Sequence, residues 1–363
     1  AIASAGCVKG LYPIGWSGGA VSRDTLFVGS KEGRLVAVNV NDEGRKWSEP
    51  LKAARTGTGF GCVPVGGCGS GAGAGVAIYG TPSVAGELVY FGGYNGKIYA
   101  FNSASLEVRW VYPREDYLEP IVGGPSVAQG KVYIGGADGK VYALDAATGD
   151  KQWEFATGDK IWSTPVIEGD TLYIGSFDNK LYALDAADGS PRWEYETEGA
   201  IASSPLVYNG TVFIGSFDKH LYALNAADGS LKWKFMGENW FWVQPIAYGD
   251  AIYAGCLDGK VYILDAGSGE KMGEFDLGSP VASSPVLVNG SIVFASHDGV
   301  LFNLSTLNGV IKLKQLADIE EEVLGPLCTS GGIVYVHTQD LTLHRVNAET
   351  GAVMMSVSLE SKD

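Results

Sequence analysis

A motif of about forty residues occurs eight times along this chain of 363 residues. The clearest copy runs from Ile161 to Thr197, and a near-duplicate begins at Ile201. A proline marks the first strand of seven copies: Pro82, Pro125, Pro165, Pro205, Pro245, Pro285 and Pro326. Each copy contains four strand-like runs, and such a repeat is typical of propeller blades. The sequence therefore predicts an all-β fold, an eight-bladed β-propeller of four-stranded antiparallel blades.

The repeat also predicts the domain organisation. We expect one closed propeller over residues 14–360, because the copies span nearly the whole chain. An N-terminal tail is expected at 1–13, as the remnant of an export signal. A Gly/Cys-rich insertion at 52–76 interrupts the array between the first two copies. Its composition favours either a linker or a small cap over the central channel.

Proline and tryptophan positions predict how each blade is oriented. Proline cannot donate to a sheet ladder, so the first strand should be the innermost, at the channel. Five tryptophans occupy one place in the fourth strand, where an indole can be buried between blades and donate to a carbonyl: Trp47, Trp110, Trp153, Trp193 and Trp233. Aspartate or asparagine recurs at the second turn, as in Asp178, where hairpin-turn chemistry accounts for it without a metal ion. We predict no metal site.

Charge restricts the partners. The formal net charge is −15, from 41 acidic and 26 basic residues, and it repels phosphate backbones and anionic lipid surfaces. Nucleic acid is therefore excluded as a partner. A protein partner is expected, and a basic one would be favoured electrostatically. Alternatively, the acidic surplus serves only to keep an exported protein soluble.

The opening segment AIASAGC resembles the end of a bacterial lipoprotein signal, although Ser4 stands where leucine is usual. Cys7 is therefore a lipidation candidate, and a lipid anchor is the only membrane contact that we expect. Cys62 and Cys68 flank five residues of a glycine-rich stretch and are a disulfide candidate, which suits an oxidising compartment. The predicted location is periplasmic or at the cell surface.

The run ALDAATGDKQW, from Ala143 to Trp153, carries the A-x-D-x-x-T-G-x-x-x-W docking motif of quinoprotein alcohol dehydrogenases. The chain thus resembles the pyrroloquinoline-quinone (PQQ)-like propeller repeat superfamily over nearly its whole length. It is also similar, in length and repeat form, to the lipoprotein propeller subunits of the outer-membrane β-barrel assembly machinery. The first resemblance includes members with and without a cofactor, and the second implies a non-catalytic scaffold.

The dehydrogenases of this superfamily use adjacent cysteines over the quinone, basic residues for its carboxylates, and calcium. This sequence has no adjacent cysteines, so no catalytic residue is carried over and no cofactor is expected. The resulting prediction is an exported, non-catalytic protein-binding or scaffolding module in a cell-envelope assembly. One alternative is a PQQ- and calcium-dependent oxidoreductase of alcohols or sugars with a divergent site. A second alternative is an extracellular ligand sensor.

The candidate binding residues lie on one face of the predicted propeller, in and beside the loops that enter the inner strands. Four aromatic residues stand three positions before the proline position: Trp16, Tyr79, Trp162 and Trp242. The sixth copy adds Trp240 and Gln244, and the rim supplies charged residues: Glu119, Lys160, Glu198 and Glu238. The aromatic residues either bind a ligand or protein side chain, or fill space between blades. The acidic residues either form a solvated rim or attract a basic partner.

Overall fold

The computed structural model describes residues 17–30, 32–42, 44–52, 76–307, 310–323 and 325–360. In these ranges the strands form eight sheets of four, each in sequential antiparallel order, and the predicted eight-bladed all-β propeller is confirmed. The candidates Cys7, Trp16, Cys62 and Cys68 lie outside the described residues.

The first strand of every blade has three residues and lies innermost. These strands are β1 (Ala20–Ser22), β5 (Ser83–Ala85), β9 (Ser126–Ala128), β13 (Val166–Glu168), β17 (Leu206–Tyr208), β21 (Ile246–Tyr248), β25 (Val286–Val288) and β29 (Cys328–Ser330). β1 contacts both β5 and β29, so the first and last blades meet and the ring closes. Pro165 comes immediately before β13, so the proline begins the inner segment without taking a ladder position.

The second and third strands are buried on both faces. The second strands are β2 (Thr25–Gly29), β6 (Leu88–Gly93), β10 (Lys131–Gly135), β14 (Thr171–Gly175), β18 (Thr211–Gly215), β22 (Ala251–Gly255), β26 (Ser291–Ala295) and β30 (Ile333–His337). The third strands are β3 (Leu35–Asn39), β7 (Lys97–Asn102), β11 (Lys140–Asp145), β15 (Lys180–Asp185), β19 (His220–Asn225), β23 (Lys260–Asp265), β27 (Val300–Leu307) and β31 (Thr342–Asn347). Their side chains form the core, which lies between adjacent blades: Tyr133 and Val141 of blade 3, for example, pack with Leu172 of blade 4.

The fourth strand is the outer edge of each blade. These strands are β4 (Arg45–Trp47), β8 (Val108–Tyr112), β12 (Lys151–Ala156), β16 (Pro191–Glu196), β20 (Leu231–Met236), β24 (Lys271–Asp276), β28 (Val310–Asp318) and β32 (Val353–Ser358). Five of them carry a predicted tryptophan, and in four of these the indole nitrogen donates to an alanine carbonyl of the next blade. The pairs are Trp110–Ala146 at 2.9 Å, Trp153–Ala186 at 3.2 Å, Trp193–Ala226 at 3.0 Å and Trp233–Ala266 at 3.1 Å. The predicted role of these four residues is confirmed.

Trp47 also forms the predicted bond to a carbonyl between blades, but it does so toward the other neighbour. In blade 3 a β-bulge follows Lys151, so that Trp153 pairs with Ala143. Blade 1 has no bulge in this hairpin, and Lys46 pairs with Ala37 while Trp47 pairs with Val36. Since successive strand residues point to opposite faces, the missing bulge turns the indole to the other side of the sheet. Trp47 accordingly donates to Leu359 of blade 8 at 3.0 Å and not to blade 2.

Candidate functional site

Two rings of side chains surround the channel where the chain enters the inner strands. The upper ring is formed by the residues three positions before the proline, and the lower ring by the residues directly before it. Together they line one open cavity of about 130 Å³ on the axis. We call this cavity the axial funnel. Its lining includes four predicted candidates, which are Tyr79, Trp162, Trp242 and Gln244, and also Ala202.

Large and small residues alternate in the upper ring of blades 2 to 7: Tyr79, Val122, Trp162, Ala202, Trp242 and Ala282. Because Ala202 is small, the indoles on either side of it approach each other. Trp162 and Trp242 meet edge to face, with ring centroids 6.3 Å apart and an interplanar angle of 67°. Tyr79 packs on Tyr94 of its own blade instead, and burial raises the pKa of its phenol.

The aromatic cluster continues outward from the funnel over blades 4, 5 and 6. Phe217, from the second turn of blade 5, lies between two tryptophans: it stacks on Trp240 at 4.4 Å and 10°, and on Trp242 at 5.3 Å and 15°. Phe177, at the same turn of blade 4, packs against Trp162 at 4.7 Å and Phe217 at 5.7 Å. Trp240, Phe217, Trp242, Trp162 and Phe177 thus form one continuous surface, which we call the aromatic cluster. Trp240 is partly exposed at its outer end.

Lys160 joins this cluster as a cation. Its ammonium lies 4.5 Å from the centroid of Phe177 and 5.2 Å from that of Trp162. The negative faces of the rings stabilise the ammonium there. A positive charge therefore stands at the upper edge of the funnel on the side of blade 4.

Hydroxyl groups dominate the lower ring. Four of them accept a backbone N–H from the preceding blade: Gly18 donates to Thr81 at 3.1 Å, Gly124 to Thr164 at 2.9 Å, Thr164 to Ser204 at 3.1 Å and Gln244 to Ser284 at 3.3 Å. These bonds link neighbouring blades at the axis. Among the described residues, none accepts a proton from these four hydroxyls, so each can donate to a ligand in the funnel.

Gln244 takes the hydroxyl position in blade 6. Its side-chain nitrogen donates to the Pro205 carbonyl at 2.7 Å, which fixes the amide. The amide oxygen has no hydrogen-bond donor among the described residues and remains available as an acceptor. The predicted candidate Gln244 therefore lies in the funnel lining.

The predicted acidic residues lie at the rim and are exposed: Glu119, Glu198 and Glu238. Two of them have basic neighbours, since Glu198 is 3.3 Å from Lys234 and Glu238 is 2.6 Å from Lys260. Exposed pairs of this kind contribute little to stability, so these carboxylates remain available to a partner. The structure does not bring them together with the funnel lining.

Several site residues had not been predicted from the sequence. Four of them are hydroxyl residues that the repeat could have indicated, because each directly precedes the proline of its copy: Thr81, Thr164, Ser204 and Ser284. Phe177 and Phe217 occupy a turn position where other copies have Ala137 or Leu257. An aromatic residue at this position in only some copies could also have indicated the site.

The turn aspartates have a structural role. Asp178 accepts the hydroxyl proton of Tyr182 at 2.7 Å and backbone N–H groups from Gly158 and Lys180 at 2.6 and 3.0 Å. The same tyrosine–aspartate bond occurs in three other blades, at Tyr142, Tyr222 and Tyr262. No group of three or more His, Cys, Asp or Glu residues that could hold a metal ion occurs in the part of the chain described.

The profile of the PQQ_2 family, described as outer membrane protein assembly factor BamB, matches residues 10–161 and 137–356. The chain belongs to the PQQ_2 family. Among curated proteins, none matches the sequence. In the described ranges, no helix has the length and apolar character needed to cross a membrane.

Two crystal structures share this PQQ_2 chain's fold at low sequence identity. BamB from Moraxella catarrhalis superposes with a TM-score of 0.70 at 19% identity, over 88% of this chain and 92% of the other. The computationally designed Ika8 protein superposes with a TM-score of 0.71 at 14% identity, over 92% and 96%. At these identities the likeness establishes the propeller fold and leaves function to the site.

The funnel of this PQQ_2 protein does not fit a quinone cofactor. PQQ carries carboxylates. Among the described residues that line the funnel, none is a lysine or arginine that could bind these carboxylates, and none is an aspartate or glutamate that could bind a calcium ion. Among the described residues, the Cys256 thiol is a poor nucleophile, because burial raises its pKa to about 12. The geometry instead offers flat rings, hydroxyl donors and an amide acceptor.

Proposed function

We propose that this chain is an exported, non-catalytic propeller that binds a protein partner and acts as a scaffold in a cell-envelope assembly. Membership in a family described as an outer membrane assembly factor supports this role. The observation that carries the proposal is the stack of Trp240, Phe217 and Trp242, which extends from the funnel to a partly exposed ring at the rim.

Aromatic side chains held in a fixed arrangement are typical anchors of protein interfaces. The Trp240 ring is held by its contact with Phe217 at 4.4 Å, so a partner would meet a preorganised surface. The tryptophans of the outer strands differ, since Trp153 and Trp233 are buried and hydrogen-bonded between blades. The aromatic cluster is therefore the part of the tryptophan set that suits recognition.

A basic partner is favoured by the surroundings of the cluster. Glu198 and Glu238 flank blades 5 and 6 at the rim, and the whole chain carries a formal charge of −15. Such a field accelerates the approach of a positively charged surface and weakens as salt is added. Association with the partner should therefore slow when salt rises from about 0.05 M to about 0.3 M.

Site-specific photo-crosslinking in the native host tests the proposal. A crosslinking residue replaces Trp240 in one strain and Ala187 in another; Ala187 is exposed on a turn of the opposite face. We expect one dominant envelope protein to be captured from the first position and not from the second. Equal capture from both positions, or none from either, would contradict the proposal.

Trp242→Ala separates recognition from packing. If the cluster is a binding surface, the variant weakens partner binding by at least about tenfold while the free energy of unfolding falls less than after Trp233→Ala. Parallel losses of binding and stability would instead assign Trp242 to packing alone.

Location and catalysis have separate tests. Lipid anchoring at Cys7 predicts that Cys7→Ser moves the protein from the membrane fraction to the soluble fraction of the envelope.

Absence of catalysis predicts an unchanged spectrum when the purified protein is titrated with PQQ and calcium. Dye-linked oxidation of an alcohol or a sugar in that titration would contradict the scaffold proposal.

A further inference from the structure

We infer that the axial funnel is a binding site for a neutral saccharide. This inference is separate from the proposed scaffold function: the two share Trp242, but the scaffold proposal also needs Trp240 and the rim, whereas the saccharide inference needs the hydroxyls and the amide of the funnel. It follows from three properties of the lining: its hydrogen-bonding groups, its aromatic wall and its lack of charge.

The hydrogen-bonding groups match an alcohol-rich ligand. Thr81, Thr164, Ser204 and Ser284 each use one oxygen lone pair for a backbone N–H of the preceding blade. Each retains a proton to donate and a second lone pair, and Gln244 offers its amide oxygen. Sugar hydroxyls both donate and accept, so they can satisfy all of these groups together. An apolar occupant would leave them unpaired, which is costly once water is excluded.

The aromatic wall matches the other side of a sugar ring. Trp162 and Trp242 line the funnel above the hydroxyls, and their edge-to-face contact fixes both rings. Phe217 already stacks on Trp242, and the Lys160 ammonium lies over Trp162. A pyranose would therefore place its weakly positive C–H hydrogens on the indole surface that remains toward the funnel. An apolar wall above a polar floor therefore matches a molecule that has both kinds of surface.

Charge disfavours ionic ligands. Among the described residues, the funnel lining has no acidic or basic side chain, so these residues offer a bound ion no counter-charge within the cavity. The Lys160 ammonium beside Trp162 opposes a cation, while the net charge of −15 opposes an anion. A neutral ligand avoids both penalties. The cavity volume of about 130 Å³ is below the range of about 300–1,000 Å³ that is usual for drug-sized ligands, which favours a small ligand such as a single sugar ring.

The test measures binding of defined sugars to the full-length protein by saturation-transfer NMR and tryptophan fluorescence. The neutral probes are the methyl glycosides of glucose, galactose, mannose and N-acetylglucosamine, with maltose and lactose. The charged probes are glucuronate and glucosamine, and N-acetyltryptophanamide represents a protein side chain. We expect saturable binding of at least one neutral sugar in the millimolar range or tighter, and weaker binding of the charged probes.

Variants locate the site. Trp242→Ala should weaken sugar binding by at least about tenfold, Trp242→Phe should retain most of it, and Trp233→Phe, between blades 5 and 6, should leave it unchanged. Gln244→Ala is the second variant if Trp242→Ala fails to fold; it removes the acceptor and keeps the backbone bond to Ser284. We expect it to weaken binding by about threefold to tenfold.

The inference is overturned if no neutral sugar binds, if a charged probe binds more tightly than its neutral counterpart, or if binding survives in the folded funnel variants. Binding of N-acetyltryptophanamide without any sugar would also overturn it, in favour of a protein side chain in the funnel. Loss of sugar binding with intact photo-crosslinking at Trp240 would leave the scaffold proposal standing.

Discussion

The indole nitrogen of Trp47 donates a 3.0 Å hydrogen bond to the backbone carbonyl of Leu359, 312 residues further along the chain. Arg45 supports the same junction, since its guanidinium donates to the Ser358 carbonyl. Blade 1 therefore meets blade 8 through its outer strand as well as through the contact between β1 and β29. The ring closes with the same kind of indole bond that links other blades, made toward the opposite neighbour.

Trp47→Phe tests this closure. It removes the donor and leaves the carbonyl of fully buried Leu359 unpaired, so we expect the free energy of unfolding to fall by about 1–3 kcal/mol. Urea denaturation measures the loss. Trp233→Phe is the matched control, because it removes one indole bond between two internal blades and should have a similar effect. If Trp47→Phe left the free energy of unfolding unchanged while Trp233→Phe lowered it, the closing bond would be dispensable.

Gly189 tests how closely the blades pack. Its φ of +77° is unfavourable for other residues, and an added Cβ would lie 2.6 Å from Cε3 of Trp153. Gly169 has a φ of +61° with no atom within 4 Å of the added Cβ. Gly169→Ala should therefore cost about 1–2 kcal/mol from the backbone alone. Gly189→Ala should cost about 1–3 kcal/mol more, because it also overpacks the indole. Equal losses in urea denaturation would contradict the close contact.

The fold was predictable because each copy of the repeat contains the residues that define its own blade. Pro165 and Trp153 each hold a defined place in their copies, and the structure confirms both. The register of blade 1 was not predictable, because the spacing from Ala37 to Trp47 equals that from Ala143 to Trp153. Only the pairing shows that one hairpin has a bulge and the other has none.

The site was predictable only in part. Trp162 and Trp242 share one repeat position, so their approach to the axis followed from the fold. Phe217 belongs to a turn, and its stacking between Trp240 and Trp242 depends on how the turn of one blade meets the entry loop of the next. That contact is set by blade-to-blade packing and has no signature within a single copy.

Tyr182→Phe tests the turn aspartates as structural groups. The variant removes the 2.7 Å hydrogen bond to Asp178, whose charge makes the bond stronger than a neutral one. Asp178 keeps its backbone donors, so we expect a loss of about 1–2 kcal/mol in urea denaturation. Tyr133→Phe is the control: it removes a 2.9 Å bond to the neutral Ala186 carbonyl and should cost about 1 kcal/mol. A smaller loss for Tyr182→Phe than for the control would argue against a structural role.

His344 should make stability depend on pH. It occupies in blade 8 the place of Tyr182, is 8% exposed, and contacts Thr338 at 3.2 Å and Ser356 at 2.9 Å. Burial lowers the pKa of this imidazole, against a smaller opposing effect of Asp340. The unfolded chain therefore binds the proton first, at a pKa of about 6.5, and unfolding is favoured as the pH falls below that value. We expect the free energy of unfolding to decrease with a slope of up to about 1.4 kcal/mol per pH unit until the native imidazole is also protonated.

His344→Tyr provides the matched control for this dependence. Tyrosine does not titrate in this range, and in four other blades it donates to the turn aspartate that corresponds to Asp340. Urea denaturation of both proteins at about pH 7.5 and about pH 5 cancels the contribution of all other groups. The variant should lose less stability than the parent between the two conditions. An identical loss in both proteins would mean that His344 takes up a proton in the folded state as readily as in the unfolded chain.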